Sequence, residues 1–285
     1  MTYLILSILS STIILIVFKL FKRFGINTFQ AIVFNYIVAF IVGFSLYGRS
    51  WSSAMLETGS WIPYVFIVGV LFISLFLLIG KSAQENGIGV TSVTVKMSLA
   101  IPVIFAIILY NEAVYLSKIL GIIGALIGVY LITYQKKADK KKDGNVWFLI
   151  ILFIGSGLLD TIINFVEKRA LGELSPALFS AIGFGIAGLI GIVILTIAVF
   201  LKKQKLSLKN VVGGIILGIP NFYSIYFLIM AIRQPMDDSV TYALNNVGIV
   251  LASYIIGIFL FSESTSRIKL IGGAVAVVAI ILLTT

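Results

Sequence analysis

The chain has no cysteine and no histidine in 285 residues. Without cysteine there is no disulfide framework, no thiol nucleophile and no thiolate metal site. Without histidine the commonest general base and metal ligand is also missing. Charge is scarce as well. Only 11% of residues are charged, against about 25% in a soluble domain. The sequence contains no HExxH helix, no G-x-S-x-G elbow and no nucleotide-binding loop. Together these absences argue against an enzyme, a resident cofactor, a metal centre and ATP drive. The first residues, MTYLILSILS, carry neither a basic leader nor a small-residue cleavage motif, so they read as a retained first helix.

What is present is apolar. Hydrophobic residues make up 60% of the chain, and the mean hydropathy is +1.14. An integral membrane protein is expected, because spanning the hydrocarbon takes about 20 such residues. Ten segments qualify: 3–21, 28–47, 62–80, 89–110, 116–134, 146–166, 176–201, 211–232, 239–261 and 268–283. The polar run KKADKKKDGN (136–145) divides them five and five, giving units 1–135 and 146–285. The fold class read from this pattern is all-α and polytopic.

The second unit repeats the first. SESTSRIKLIGGAVAVVAIILLTT lies over NEAVYLSKILGIIGALIGVYLITY without a gap, at an offset of 151 residues. Glu263 falls on Glu112, Lys269 on Lys118 and Gly272 on Gly121. The same polar punctuation therefore occurs twice, and a long-period repeat fixes architecture. Five spans per unit is an odd number, so the second copy must enter the membrane inverted. Two inverted five-helix repeats suit a protein that opens alternately to either face.

The net charge of +10 does not point to nucleic acid, because the basic residues sit between apolar runs. The loops after odd-numbered spans hold 15 of the 21 Lys and Arg residues. By the positive-inside rule those loops are cytoplasmic and both termini face out.

Ionisable groups at membrane depth are costly and normally have a partner and a purpose. Lys96 and Asp160 are two such groups. The functional reading gives Lys96 an anionic group to attract and Asp160 an amine or a proton. The structural reading pairs them with each other. Asp160 shares a helical face with Ser156 and Asn164. Tyr242, Asn245 and Asn246 fall in the ninth span, Asn35 in the second, and Tyr223 and Tyr226 in the eighth. In lipid such groups turn inward, which predicts a polar cavity. Small residues four apart, as at Gly124 and Gly128 or Gly272 and Ala276, predict close helix packing. Gly69 and Pro220 stand 151 residues apart and weaken corresponding helices, so both are candidate hinges, as is Pro102. Glu112 and Glu263 are expected to cap the helices that follow them.

The paired stretches NEAVYLSKILGIIGALIG and SESTSRIKLIGGAVAV, each an acidic residue followed by a Gly-rich helix, resemble the drug/metabolite transporter superfamily and its EamA-like branch. The resemblance spans the whole chain. It implies a ten-helix secondary transporter of small polar metabolites, with amino-acid-like solutes and efflux foremost and sugar or nucleoside uptake or exchange as the alternative. It implies a cavity lined by helices 1–4 and 6–9, with helices 5 and 10 as supports. Family members usually keep both termini in the cytoplasm, opposite to the charge count. YALNN (242–246) is similar to the GALNK motif of nucleotide-sugar transporters, with Tyr242 for Gly and Asn246 for Lys. The expected setting is the cell membrane, as a monomer or homodimer, with protons as a candidate coupling ion and a membrane-embedded enzyme as the remaining alternative.

Overall fold

A computed structural model describes residues 1–50, 59–85, 88–134, 146–172, 174–201, 205–261 and 266–284. The basic linker and Glu263 lie outside the described residues. Eleven α-helices are formed among those described. They are α1 (Thr2–Phe24), α2 (Thr28–Tyr47), α3 (Ile62–Glu85), α4 (Ile88–Met97), α5 (Ala100–Tyr110), α6 (Leu116–Thr133), α7 (Val146–Phe165), α8 (Pro176–Phe200), α9 (Leu208–Ile232), α10 (Asp238–Phe261) and α11 (Arg267–Thr284). A π-helical turn, Val166–Ala170, extends α7.

Among the described residues, eight helices are long and apolar enough to cross a membrane. The chain is a multi-pass, all-helical membrane protein. Such helices satisfy their own backbone hydrogen bonds, as lipid requires. Their ends follow local chemistry. Asn27 caps α2 by accepting from the Gln30 N–H at 3.1 Å. Ser175 caps α8 by accepting from Leu178 N–H at 3.2 Å, with Pro176 opening that helix. Asn111 ends α5 in a left-handed conformation, φ 50°.

The fourth and fifth expected spans form the shorter apolar helices Thr94–Tyr110 and Leu116–Ile132. The fourth is interrupted at Ser98 and Leu99, which separate α4 from α5. The cause is local. Pro102 has no N–H to offer the Ser98 carbonyl, which accepts from Ile101 N–H instead, at 2.9 Å. Ser98 Oγ donates to the Val95 carbonyl at 2.6 Å, taking the acceptor that Leu99 N–H would use in a regular helix. Leu99 N–H reaches Lys96 O at a long 3.4 Å. Pro102 itself sits in the first turn of α5, where a missing N–H is harmless.

Helix pairs form the body of the molecule. Helix α2 packs on both α8 and α9, α3 on α8 and α7, and α1 on α9 and α10, while α6 and α11 lie against each other. Small residues set these approaches. A Cβ on Gly128 would come within 3.0 Å of the Ala276 Cβ and N. A Cβ on Gly272 would meet Ile132 N at 2.7 Å, and one on Gly121 would meet Leu283 Cγ at 2.7 Å. Gly69 serves contact in the same way, since its Cβ would lie 2.6 Å from Ile186 Cγ2 on α8. Both α3 and α9 are continuous through Gly69 and Pro220.

The largest buried cluster joins α2, α3, α7 and α8 around Tyr36, Phe72 and Phe184. The Phe72 and Phe184 rings stack with centroids 4.8 Å apart. Tyr36 Oη donates to the Phe72 carbonyl at 3.0 Å, so this buried hydroxyl is satisfied without water.

Candidate functional site: a polar cavity and its charged rim

Side chains from α1, α3, α4, α7, α8, α9 and α10 line an open cavity of about 230 Å³, room for roughly seven water molecules. Lys96 and Asp160 both line it. No direct ion pair joins them, so the pairing considered from sequence is not made. They lie on α4 and α7, which pack together, and Asn245 and Asn246 from α10 share the wall. Ser7, Ser11, Ser156, Asn221 and Ser224 add to the polar lining, and Phe72, Phe76 and Phe184 form an aromatic side.

Lys96 is placed by the helix break, two residues ahead of Ser98. Broken helices recur at membrane binding sites because they free backbone groups at depth. Asp160 is placed by Tyr242, whose hydroxyl donates to the Asp160 carbonyl oxygen at 2.8 Å. Tyr242 is wholly buried among Leu99, Val103, Leu228 and Ile232 and does not reach the cavity. It therefore positions α7 rather than contacting a solute.

The other expected residues are spread more widely. Asn164 lies one turn beyond Asp160 and donates to Asp238 Oδ2 at 2.8 Å, away from the cavity wall. Asn35 is fully buried where α2 crosses α9; a Cβ on Gly218 would come within 2.8 Å of its carbonyl. Tyr223 and Tyr226 join an aromatic row with Tyr47, Phe222 and Phe227. The second span contributes no lining residue, because Tyr36 and its neighbours turn into the aromatic core instead.

A charged layer covers the end of the bundle where α5 leads to α6 and α9 to α10. Lys118 is 0% exposed and contacts Glu112 at 2.8 Å and Asp237 at 2.6 Å. Asp238, also 0% exposed, takes Lys168 at 2.9 Å as well as Asn164. Arg233 pairs with Glu167 of the π-turn. Glu112 accepts from Asp238 N–H at 2.8 Å, from Ser239 N–H at 3.3 Å and from the Ser239 hydroxyl. The expectation that Glu112 caps the helix following it is corrected here. It caps α10, whose open N–H groups present the positive end of a helix dipole. Sequence reading placed Glu112 and Lys118 at the same spacing twice, but it could not supply their partners in the other half of the chain.

Ser7, Ser11 and Ser224 were hard to single out, since one Ser in an apolar helix usually marks an interhelical hydrogen bond.

No protein-family model matches the chain. An uncharacterized protein of Haemophilus influenzae is 29% identical over 278 residues, covering 94% of this chain and 92% of that protein. A solved crystal structure superposes with a TM-score of 0.74, covering 99% of this chain and 95% of the other at 11% identity; this is a likeness of fold. The chain is also similar to the glucose uptake protein GlcU of Bacillus subtilis, 24% identical over 237 residues and 76% of each chain.

Proposed function

We propose that the chain is a secondary transporter of the drug/metabolite-transporter type, carrying a small polar solute by alternating access. The carrying observation is the cavity that Lys96 and Asp160 both line with no salt bridge between them. Charges at membrane depth that lack a direct salt bridge are costly, and a bound solute or ion offsets part of that cost. On this reading the protein has no enzymatic activity and lies in the cell membrane.

The inverted ten-span repeat is part of the proposal. Its support is a contact that recurs under the 151-residue offset: Gly121 against Leu283, and Gly272 against Ile132. The packing of α2 on α9 likewise answers that of α8 on α3, and α1 on α9 answers α7 on α3. An interface related in this way can rock as two similar bodies. In this motion Gly69, Pro102 and Pro220 are the proposed hinges. Replacing Pro220 by alanine should slow transport and leave membrane insertion intact; equal transport would remove Pro220 from the hinge.

Two solute classes fit. The opposed charges suit an amino-acid-like zwitterion moving outward. The similarity to GlcU, a protein named for glucose uptake, favours a sugar moving inward, with Lys96 and Asp160 as hydrogen-bonding groups to hydroxyls or Asp160 as a proton carrier. Flux into proteoliposomes tests the reading for both. Lys96→Ala and Asp160→Asn should each reduce flux about tenfold or more, since hydrogen bonds to charged groups contribute about 1.5–3 kcal/mol. Undiminished flux in both variants would take the site away from this cavity.

A further inference from the structure

The end of the bundle opposite the charged layer, where α1 ends and α9 begins, is basic without being acidic. Residues 19–25 (KLFKRFG) and 202–209 (KKQKLSLK) hold seven Lys and Arg residues and no Asp or Glu. The fold joins these two stretches. Helix α1 ends on Gly25, whose φ of 58° lets Ile26 N–H close back on the Phe21 carbonyl at 2.9 Å. Asn27 N–H then donates to Asn210 Oδ1 at 2.9 Å. Asn210 Nδ2 donates to Gln30 Oε1 at 2.7 Å, and Gln30 Nε2 to the Lys205 carbonyl at 2.9 Å. Gln30 and Asn210 are buried, so this amide bridge fixes the α1–α2 turn against the start of α9. Lys209 reaches across the join, since a Cβ on Gly25 would lie 3.4 Å from its Nζ.

Like charges held together in this way call for a counter-charge. Arg23, Lys205 and Lys209 are exposed and make no ion pair among the described residues. Apolar side chains stand between them in the chain. Phe24 is 62% exposed, Leu206 58% and Leu208 78%. A free phosphate answers the cations but leaves these three side chains in water. An anionic bilayer surface answers both. Its headgroups take up the ammonium and guanidinium groups, and its acyl boundary takes up the apolar ones.

We propose that the α1–α2 turn and the KLSLK stretch leading into α9 form one interfacial patch that binds anionic phospholipid headgroups. Many weak contacts to several headgroups suffice, so the cations need not converge on one phosphate. A zwitterionic lipid carries the same phosphate with its charge cancelled, and the patch tells the two apart by net charge. The inference rests on the membrane setting of the chain and is independent of what the cavity carries.

The test uses full-length protein purified in a neutral detergent. Bound phosphatidylglycerol and phosphatidylcholine are measured by native mass spectrometry, with inorganic phosphate as competitor. Wild-type protein should prefer phosphatidylglycerol by about tenfold or more, and phosphate should not displace it. Arg23→Gln, Lys205→Gln and Lys209→Gln should each weaken phosphatidylglycerol binding about fivefold, and the triple variant should lose the preference. A charge-matched control, Lys136→Gln with Lys137→Gln and Lys140→Gln in the basic linker, should keep it. Leu206→Ser with Leu208→Ser should weaken both lipids alike. Melting temperatures without lipid should stay at the wild-type value throughout, because the substituted side chains near α9 are exposed and the amide bridge is untouched. Equal binding of the two lipids by wild-type protein, or equal loss in the two triple variants, would overturn the patch. So would lipid binding unaffected by the leucine changes, or single Gln variants that lose lipid only while melting lower. Displacement of phosphatidylglycerol by phosphate would make this a soluble-anion site and overturn the lipid assignment.

Discussion

Lys118→Met should lower the melting temperature of the protein in detergent by about 5–10 °C, from a loss of about 3 kcal/mol. The ammonium is fully buried between Glu112 and Asp237. Removing one partner of a buried pair strands the other, which costs more than the pair contributes. Glu112 would be the stranded group, with its side chain only 7% exposed. Asp237 is 38% exposed, so water answers it and its share is small. Glu112 also keeps its bonds to the start of α10, which places the effect at the lower end of the range for buried pairs. A second change, Glu112→Gln, should recover part of the loss if the stranded charge is the cause; the double variant melting still lower would instead locate the effect in the cap on α10. An unchanged melting temperature in Lys118→Met would mean that the layer contributes nothing to stability.

Two adjacent glycines supply the second large effect, and each controls for the other. A Cβ on Gly272 would meet the Ile132 backbone nitrogen at 2.7 Å, whereas one on Gly273 finds its nearest neighbours at 3.9 Å. A backbone atom cannot swing aside. In Gly272→Ala, α11 must therefore draw back from α6, opening contacts along the pair. A loss of roughly 1–3 kcal/mol is expected, as for other overpacked sites. Gly273→Ala should be neutral or stabilising by up to about 1 kcal/mol, the usual gain for alanine over glycine inside a helix. Melting curves for the two variants decide the matter. Equal behaviour would refute the account of α6 and α11 as a pair held by close backbone approach.

Much of the frame was legible because membrane solvent simplifies the problem. Long apolar runs can only be helices, so the eight long helices followed from composition and length. Gly124, Gly128, Gly272 and Ala276 were readable as packing residues because lipid offers no other reason to line up small side chains. Lys96 and Asp160 stood out because charge is costly there. The break at Ser98–Leu99 was harder. Pro102 signalled a disturbance, but its location depended on Ser98 Oγ reaching Val95 O, a choice made by one rotamer. The partners of Glu112 were harder still. Asp238 and Ser239 lie more than a hundred residues away, and nothing local in NEAVYLSK indicates which helix its carboxylate will face. Asn164 illustrates the same limit. Its four-residue spacing from Asp160 is real, yet one turn of rise carries it from the cavity into the charged layer.

The interruption at Ser98–Leu99 also bears on how a charge could be moved inside a tightly packed bundle. Regular helices resist torsion because each turn is tied to the next, but here the regular pattern gives way to two three-residue bonds, Leu99–Lys96 at 3.4 Å and Ile101–Ser98 at 2.9 Å. Lys96 thus rides on a short arm with a pivot at its base, while α5 stays anchored against α7 and α10. Turning that arm would re-aim the ammonium by repacking the short α4 against α3, α6 and α7, with no need to slide a whole span through its neighbours.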